Sequence, residues 1–355
     1  THDKSSYIVP FNNQVKVYSI ETRQCIKTIK FANNETLSSV FRSDEVVIVH
    51  IALGDASIVE ETSNDKITIF TSTGHVVVLN YKGKLTESPK MWQIPFADEQ
   101  EKLFKVFQRD SVLKLLTVTN GSAACFTYKL YSFENKQTEY IKSYSNVILS
   151  TWSANDKYLC LLTKSSEGKK SLCIEPVFDG SASKEFPLPS TSSSTSTNAN
   201  FVTTIAMDNN CEQVAVGFAS GVINLISVGD LSNRLLKWHI DAVLSLCFTS
   251  DGSYLLSGGW EKVLSFWQLS TNLQQFLPRL NGVIIDCQVI DDKFYSLALQ
   301  MTENTTSADY QLLLLNSTDL NSRLAINGPL PVFQTATKDV VQPLSAVSTR
   351  NSTSS

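Results

Sequence analysis

The sequence predicts an all-β protein in which a four-stranded unit repeats along the chain. Short apolar runs alternate with turn residues over nearly all of the 355 residues, and the apolar spacing typical of helices is almost absent. The runs 76–79, 214–216 and 312–315 have the length and composition of buried strands. This pattern indicates a sandwich, a barrel or a propeller.

An ungapped comparison of the chain with itself distinguishes these architectures. After a shift of 41 residues, 202–207 falls on 243–248, and Val216-Gly217 falls on Ser257-Gly258. A shift of 96 residues places 152–159 on 248–255. Because a period of about 40 to 45 residues with four strands per unit is typical of β-propellers, we expect one here.

The spacing of the apolar runs predicts seven such units over residues 1–333. The first unit is short by one strand, which residues 340–347 or residues upstream of Thr1 would supply, since an unclosed ring leaves two exposed sheet edges. Residues 334–355 are therefore expected to hold a candidate ring-closing strand and a disordered tail. The predicted blades are residues 7–31, 37–95, 103–144, 147–187, 201–238, 242–278 and 283–330.

Polar segments are expected to interrupt or follow the repeat. Residues 189–200 are rich in Ser, Thr and Asn and predict a mobile loop between the fourth and fifth blades. Residues 301–309 predict an extended hairpin in the seventh blade, and the tail from Ser348 predicts disorder. The chain begins with Thr1 instead of Met, which predicts a fragment of a longer protein.

Composition narrows the functional classes. A net charge of -4 and a pI near 5.7 argue against a mainly electrostatic grip on nucleic acid. The pair Lys169-Lys170 is read as a solvated hairpin turn, with a phosphate contact as the alternative. Seven scattered cysteines without C-x-x-C favour a reducing compartment. No apolar run approaches the roughly 18 residues of a membrane span, so no membrane partner is expected.

The segment 237–269 carries His239, Ser257 and Glu261, which are the residue types of a hydrolytic triad. However, Ser257 follows two leucines inside a predicted apolar strand, whereas a nucleophilic serine needs an exposed turn with backbone donors nearby. A buried serine is more often a satisfied hydrogen-bond partner. We therefore expect no catalytic residue in this segment.

The same segment resembles one WD repeat of the WD-repeat β-propeller family. In that family a Gly-His precedes the innermost strand, a Ser-Gly ends the second, an Asp follows in the turn and a Trp-Asp ends the third. The resemblance implies a seven-bladed WD-repeat-type β-propeller in which one blade holds a hydrogen-bonded tetrad, formed by His239, Ser257, Glu261 and Trp267.

This repeat departs from the family pattern in ways that limit the resemblance. Trp238 replaces the Gly, Glu261 replaces the Asp, and Gln268 replaces the final Asp. The preceding blade is not expected to form a tetrad, because its corresponding residues are Val216, Ser220 and Ile226.

More specifically, segment 238–269 is similar to the first propeller of the WD-repeat subunits of the t-UTP (UTP-A) group of the small-subunit processome, the WD-repeat protein seventy-five type. The resemblance covers about a tenth of the chain. It implies a non-catalytic scaffold in ribosome biogenesis, located in the nucleus and nucleolus, that docks other processome subunits during pre-rRNA transcription and processing. The implied partners are protein subunits of a large ribonucleoprotein assembly, and direct contact with pre-rRNA stays open.

The residues also bear on other functional classes. An adaptor in a ubiquitin ligase or a vesicle coat is the open alternative. A propeller enzyme is not expected, because the innermost strands 202–207 and 243–248 offer mostly Thr, Ser and apolar side chains. Neither a cofactor nor a small-molecule substrate is expected. A metal site is not expected from the isolated histidines His2, His50 and His75. The acids Asp55, Glu60 and Glu61 are read as a solvated loop.

Trp260 is the candidate partner-binding residue. It precedes Glu261 in the predicted turn between the second and third strands of its blade, and in WD propellers that turn opens on a face where partners dock. Aromatic residues are enriched at binding hot spots. The alternative is that Trp260 packs on a neighbouring blade.

Overall fold

The computed structural model describes most of the chain and divides it into two compact units, with the boundary between residues 147 and 148. The described residues are 5–11, 14–41, 46–53, 65–82, 89–96, 98, 100–109, 112–120, 125–134, 137–189, 201–290, 292–301 and 310–327. Three predicted features lie wholly or almost wholly outside these residues: the 189–200 loop, the 301–309 hairpin and everything from residue 328 onward.

The described part of the first unit forms antiparallel sheets from consecutive strands, in the groups β1–β3, β4–β7 and β8–β11. A 3₁₀ helix, Phe31–Asn33, and a helix α1, Glu35–Val40, lie between the first two groups. Asn34 caps α1, since its side chain accepts a hydrogen bond of 3.2 Å from the Leu37 amide. The strands are β1 Ser6–Phe11, β2 Gln14–Ser19, β3 Cys25–Lys30, β4 Ile48–Leu53, β5 Lys66–Thr71, β6 His75–Asn80, β7 Lys90–Gln93, β8 Lys102–Arg109, β9 Val112–Asn120, β10 Phe126–Glu134 and β11 Gln137–Trp152.

The second unit repeats this arrangement. Its sheets consist of β12–β14 with the end of β11, then β15–β18, β19–β22 and β23–β26, and neighbours in each sheet are antiparallel. The strands are β12 Tyr158–Lys164, β13 Lys170–Pro176, β14 Lys184–Pro187, β15 Val202–Met207, β16 Gln213–Phe218, β17 Val222–Ser227, β18 Asn233–Lys237, β19 Val243–Phe248, β20 Tyr254–Gly259, β21 Leu264–Gln268, β22 Gln274–Leu277, β23 Val283–Ile290, β24 Phe294–Gln300, β25 Tyr310–Asn316 and β26 Arg323–Asn327. The all-β class is therefore confirmed, while the count of seven blades and the closed ring stay a prediction.

A β-bulge recurs at the same place in the first strand of five sheets. In each case the pairing register between the first and second strands shifts after the first or second residue of the first strand. The bulges in β15, β19 and β23 follow Val202, Val243 and Ile284, so they recur at the 41-residue period of the sequence. A bulge re-aims the backbone where a strand enters a sheet, so this irregularity belongs to the repeated unit.

One strand differs from the prediction. The sequence suggested that one blade ends near Tyr144 and the next begins near Val147, but β11 is continuous from Gln137 to Trp152. A bulge lies where the break was expected, because Phe126 pairs with Val147 and Tyr128 pairs with Tyr144. Asn146 adopts a φ of 57°, so the strand bends at the predicted break without ending there.

The core of the second unit lies between successive sheets. In the β19–β22 sheet, Leu255 and Trp267 pack into a cluster with residues of β15–β18, whereas Leu256 and Phe266 on the other face pack into a cluster with β23–β25. Both faces of this sheet are buried, which explains why β20 and β21 read as almost unbroken apolar runs. Side chains alternate between the two faces, so each strand contributes to two clusters.

Hydrogen bonds also join the sheets of the second unit through the turns between their first and second strands. The Asn155 backbone amide donates to the Asn209 side-chain oxygen at 3.0 Å, and the Asn155 side-chain amide donates to the Asn209 carbonyl at 3.0 Å. Asn209 donates to the Ser250 carbonyl at 3.0 Å, and the Ser250 amide donates to Asp292 at 3.1 Å. Short polar side chains at equivalent turns therefore connect four consecutive sheets.

The two residues of the Lys169-Lys170 pair differ in their exposure to solvent. Lys169 lies in the β12–β13 turn, is largely exposed and pairs with Glu167 at 2.9 Å. Lys170 begins β13, and burial lowers the pKa of its ammonium group.

The seven cysteines are free thiols. None of the helices in the described part of the chain has the length and hydropathy that crossing a membrane requires.

Gly221 allows the turn after β16 to approach the chain that follows β18. It has a φ of +79°, and a Cβ atom there would lie 2.2 Å from the His239 carbonyl oxygen.

We expect Gly221→Ala to lower the free energy of unfolding by more than about 2 kcal/mol, because a left-handed Ala alone costs about 1–2 kcal/mol and the backbone must also move. Gly229→Ala is the matched control, since nothing lies within 4 Å of its Cβ position. Urea denaturation that shows equal stability for the two variants would contradict this account.

Candidate functional site

The hydroxyl of Ser257 is the centre of a buried polar network in the β19–β22 sheet. The Trp267 indole N–H donates to Ser257 Oγ at 2.8 Å, and the Ser257 Oγ lies 2.8 Å from His239 Nε2. His239 Nδ1 lies 3.2 Å from Glu261 Oε2. The structure thus brings together all four residues of the predicted tetrad. Because a carboxylate only accepts, Nδ1 carries the histidine proton and the Ser257 hydroxyl donates to Nε2.

Glu261 also binds the backbone that precedes β19. Its Oε1 accepts hydrogen bonds from the Ile240 amide at 2.8 Å and from the Asp241 amide at 2.9 Å. One carboxylate therefore joins the turn between β20 and β21 to the segment that enters β19. The family pattern has an aspartate at this position, and the longer glutamate makes both the side-chain contact and the two backbone contacts.

The charge of Glu261 is stabilised by this arrangement. Burial alone raises the pKa of the Glu261 carboxyl, but the hydrogen bonds from His239 and the Asp241 amide, together with the His239 charge interaction, outweigh it and hold this pKa below its ordinary value of 4.5. The acid is therefore ionised at neutral pH, as an acceptor of three hydrogen bonds should be.

This geometry does not suit nucleophilic catalysis. Ser257 has no solvent exposure, and its oxygen already contacts the Trp267 and His239 nitrogens. It lies inside β20, where it pairs with Ser265 of β21. A substrate carbonyl has no path to the oxygen, so the arrangement can connect strands but cannot form an acyl intermediate in this conformation.

Trp260 lies in the turn immediately before Glu261. Its side chain is half-buried, and its indole nitrogen is buried without a hydrogen-bond partner among the described residues. A buried indole N–H normally finds an acceptor, so the unpaired nitrogen means that no hydrogen bond from this indole within the described residues holds Trp260 in place. Part of the side chain is exposed to solvent, so the position is compatible with a partner contact as well as with packing on a neighbouring sheet.

The equivalent positions in the preceding sheet are apolar, as the sequence indicates. Val216 and Ile226 are fully buried in the cluster shared with β12–β14. Asn224, which pairs with Val216, is buried and finds no partner for its side-chain amide among the described residues. Ser265 has the corresponding position in the β19–β22 sheet and also has an unpaired hydroxyl.

Sequence reasoning missed a second buried polar network, in the β8–β11 sheet. Glu101 has a fully buried side chain that accepts hydrogen bonds from Thr117 and, at 2.8 Å, from the Tyr131 hydroxyl. Lys129 pairs with it at 3.1 Å. Burial raises the pKa of Tyr131, and the hydrogen bond and charge of Glu101 raise it further. Glu101 lies two residues before Leu103, just as Asp241 lies two residues before Val243. This shared spacing was the one signal in the sequence that could have indicated the second network.

The remaining sequence candidates do not form a site in the described residues. His50 is half-buried, and the burial of its ring together with the charge of Lys105 lowers its pKa to about 4 against the opposing hydrogen bond of Gln108. His75 bonds Thr73 at 2.9 Å. No group of three or more potential metal ligands occurs in the part of the chain that the structure describes. His2, Asp55, Glu60 and Glu61 lie outside it.

The repeated four-stranded sheets and the His–Ser–Glu–Trp network are features of the WD-repeat class of β-propeller proteins. Residues 131–300 match the family model described as the WD repeat-containing protein 75 first beta-propeller. The resemblance predicted from segment 238–269 is therefore confirmed, and the match extends well beyond that segment.

Curated relatives agree with this family. The chain is 51% identical over 378 aligned positions to NET1-associated nuclear protein 1 of Saccharomyces cerevisiae, covering 100% of this chain and 42% of that protein. It is 36% identical over 107 residues to U3 small nucleolar RNA-associated protein 17 of Schizosaccharomyces pombe, covering 30% of this chain and 12% of that protein. It is 58% identical over 48 residues to WD repeat-containing protein 75 of Danio rerio, covering 13% and 6%. The chain spans less than half the length of these relatives.

Ser257 and Ser265 provide a matched test of the network. Ser257→Ala leaves the Trp267 indole and the His239 ring nitrogen unpaired, so we expect a loss of about 2–4 kcal/mol in unfolding free energy. Ser265→Ala removes a buried hydroxyl that has no partner and should change stability by less than about 0.5 kcal/mol or increase it. Chemical denaturation of both variants checks this, and equal losses would contradict the assigned bonding.

The lowered pKa of Glu261 predicts a pH dependence. A carboxyl with a folded-state pKa below its unfolded value stabilises the fold fully above the unfolded value, and that contribution is lost as pH falls through the folded pKa. The stability difference between the wild type and Glu261→Gln should therefore be largest at neutral pH and shrink below pH 4.5. Urea titrations at several pH values measure it, and a difference that grows on acidification would overturn the assignment.

Proposed function

We propose that the chain is part of a non-catalytic scaffold in ribosome biogenesis that docks other subunits of the small-subunit processome during pre-rRNA transcription and processing. The observation that carries the proposal is the 51% identity, along the whole chain, to a protein named for a nuclear association. The likeness to a protein named for its association with U3 small nucleolar RNA directs the proposal to ribosomal RNA processing. Both names support a location in the nucleus and nucleolus.

The physical basis of the proposed role is a stack of sheets with both faces buried. A closed seven-bladed ring, which we include in the proposal, would leave the turns and outer strands as the surface for partners. Hydrogen bonds fix turns at both ends of the strands. A turn that is already fixed loses little conformational freedom when a partner binds, and this favours docking. The buried Ser257 supports a role without catalysis.

The alternative is an adaptor in another multiprotein complex, such as a ubiquitin ligase or a vesicle coat. The WD-repeat fold alone is compatible with it, because folds of this kind host many unrelated functions. The names of the relatives favour the ribosomal role instead.

Affinity purification of the complete tagged protein tests the proposal, with Trp260→Ala as the informative variant. We expect the wild type to recover ribosomal precursor RNA and nucleolar proteins, and we expect Trp260→Ala to recover less of at least one protein partner. Because Trp260 is only half-buried and its indole nitrogen has no partner, the melting temperature should fall by only a few degrees.

Two outcomes would contradict this proposal. Recovery of a cullin or of coat subunits without ribosomal RNA would overturn the function. A large loss of stability with unchanged partner recovery would show that Trp260 is a packing residue and not a partner contact.

A further inference from the structure

An apolar patch lies at the end of the β19–β22 sheet where Glu261 binds the backbone. We define it by Trp238, Ile240, Trp260 and Phe276. The side chain of Ile240 is 86% exposed, more than any other large apolar residue in the described part of the chain. Phe276 is 41% exposed, and the two tryptophans are half-buried.

The patch has a fixed shape. The Trp238 ring stacks on Phe276 with centroids 4.6 Å apart and an angle of 29°, and its edge meets the His239 ring at 4.9 Å. The Ile240 amide is bonded to the Glu261 carboxylate. The most exposed apolar side chain is therefore presented by a held backbone and not by a loose loop. Such a position costs little further ordering when a partner covers it.

Exposed cationic residues adjoin this patch along the chain. Lys237 precedes Trp238 and is exposed, and Arg279 follows β22 and is exposed. Lys262 lies near Arg279, since its carbonyl accepts a hydrogen bond of 3.2 Å from the amide of Leu280, the next residue. The nearby acids are not available as exposed charges, because Asp241 is buried and Glu261 is occupied by His239 and two backbone amides. Lys237 and Arg279 therefore place two exposed positive charges beside the patch, in a chain of net charge -4.

We propose that the apolar patch docks a protein segment that presents an apolar side chain flanked by carboxylates. This inference rests on the proposed scaffold role and names the partner chemistry of one surface. Charge complementarity selects the acidic flanks, and Ile240 selects an apolar anchor. Single-stranded RNA is the less suitable occupant, because Ile240 offers no ring for stacking, one face of the Trp238–Phe276 pair is closed by their mutual contact, and the cations are few.

Site-specific photo-crosslinking tests the identity of the occupant. Ile240 is replaced by p-benzoylphenylalanine in the complete protein expressed in its own cells, and Leu273 is replaced in a parallel strain. Leu273 is the matched control because it is 60% exposed and lies at the opposite end of the same sheet. We expect position 240, and not position 273, to crosslink to a peptide with at least two Asp or Glu within about four residues of an apolar side chain.

A synthetic peptide with the crosslinked sequence then measures the energetics. Ile240→Asp should weaken its binding about tenfold or more, the loss expected for an anchor residue. The double variant Lys237→Gln with Arg279→Gln should weaken it and remove most of its salt dependence. Leu273→Asp should bind as the wild type does. Melting temperatures within a few degrees of the wild type show that each variant is folded.

The outcomes separate this inference from the proposed function. The partner chemistry alone would be overturned if position 240 crosslinked to RNA or to a peptide without acids. It would also be overturned if position 240 gave no crosslink in a complex that still contains nucleolar proteins. Absence of nucleolar proteins and precursor RNA from the purified complex would overturn the proposed function. If position 240 crosslinked to an acidic peptide with an apolar side chain in a complex without nucleolar proteins, that result would still support the docking chemistry.

Discussion

The Glu261 carboxylate is the constraint on which the described site depends. It accepts from His239 and from the amides of Ile240 and Asp241, and through His239 it connects to Ser257 and Trp267. A turn, an incoming segment and two strands are thereby fixed by one acid. Buried polar networks of this kind stabilise a single arrangement only when every member is satisfied, and every named member here has its partner.

Other sheets are stabilised by different side chains. In the β8–β11 sheet, Glu101 collects hydrogen bonds from Thr117 and Tyr131 and an ion pair with Lys129. In the β15–β18 sheet, the positions of Ser257 and Trp267 are occupied by Val216 and Ile226, which pack without polar contacts. A repeated backbone can therefore be stabilised by unlike side chains, because strand pairing and burial are common to all copies whereas the polar networks are local.

Much of the repeat is predictable because its signals are local. Apolar runs, turns and the 41-residue period are visible in the sequence, and the tetrad residues stand at the spacing of a WD repeat. The Glu101 network is not predictable in this way, since its members come from separate strands and match no motif. The continuity of β11 is also hidden, because Asn146 reads as a turn residue while the structure uses its left-handed backbone for a bulge. The exposure of Ile240 depends on the Glu261 contacts, which no period in the sequence encodes.

Amide hydrogen exchange tests the central claim most directly. If the Glu261 carboxylate holds the segment before β19, the amides of Ile240 and Asp241 exchange slowly in the wild type and much faster in Glu261→Ala. The amides of β15–β17 should keep their wild-type rates in the same sample, because the loss is local. Unchanged protection of Ile240 and Asp241 in Glu261→Ala would show that other contacts fix this segment, and it would contradict the account.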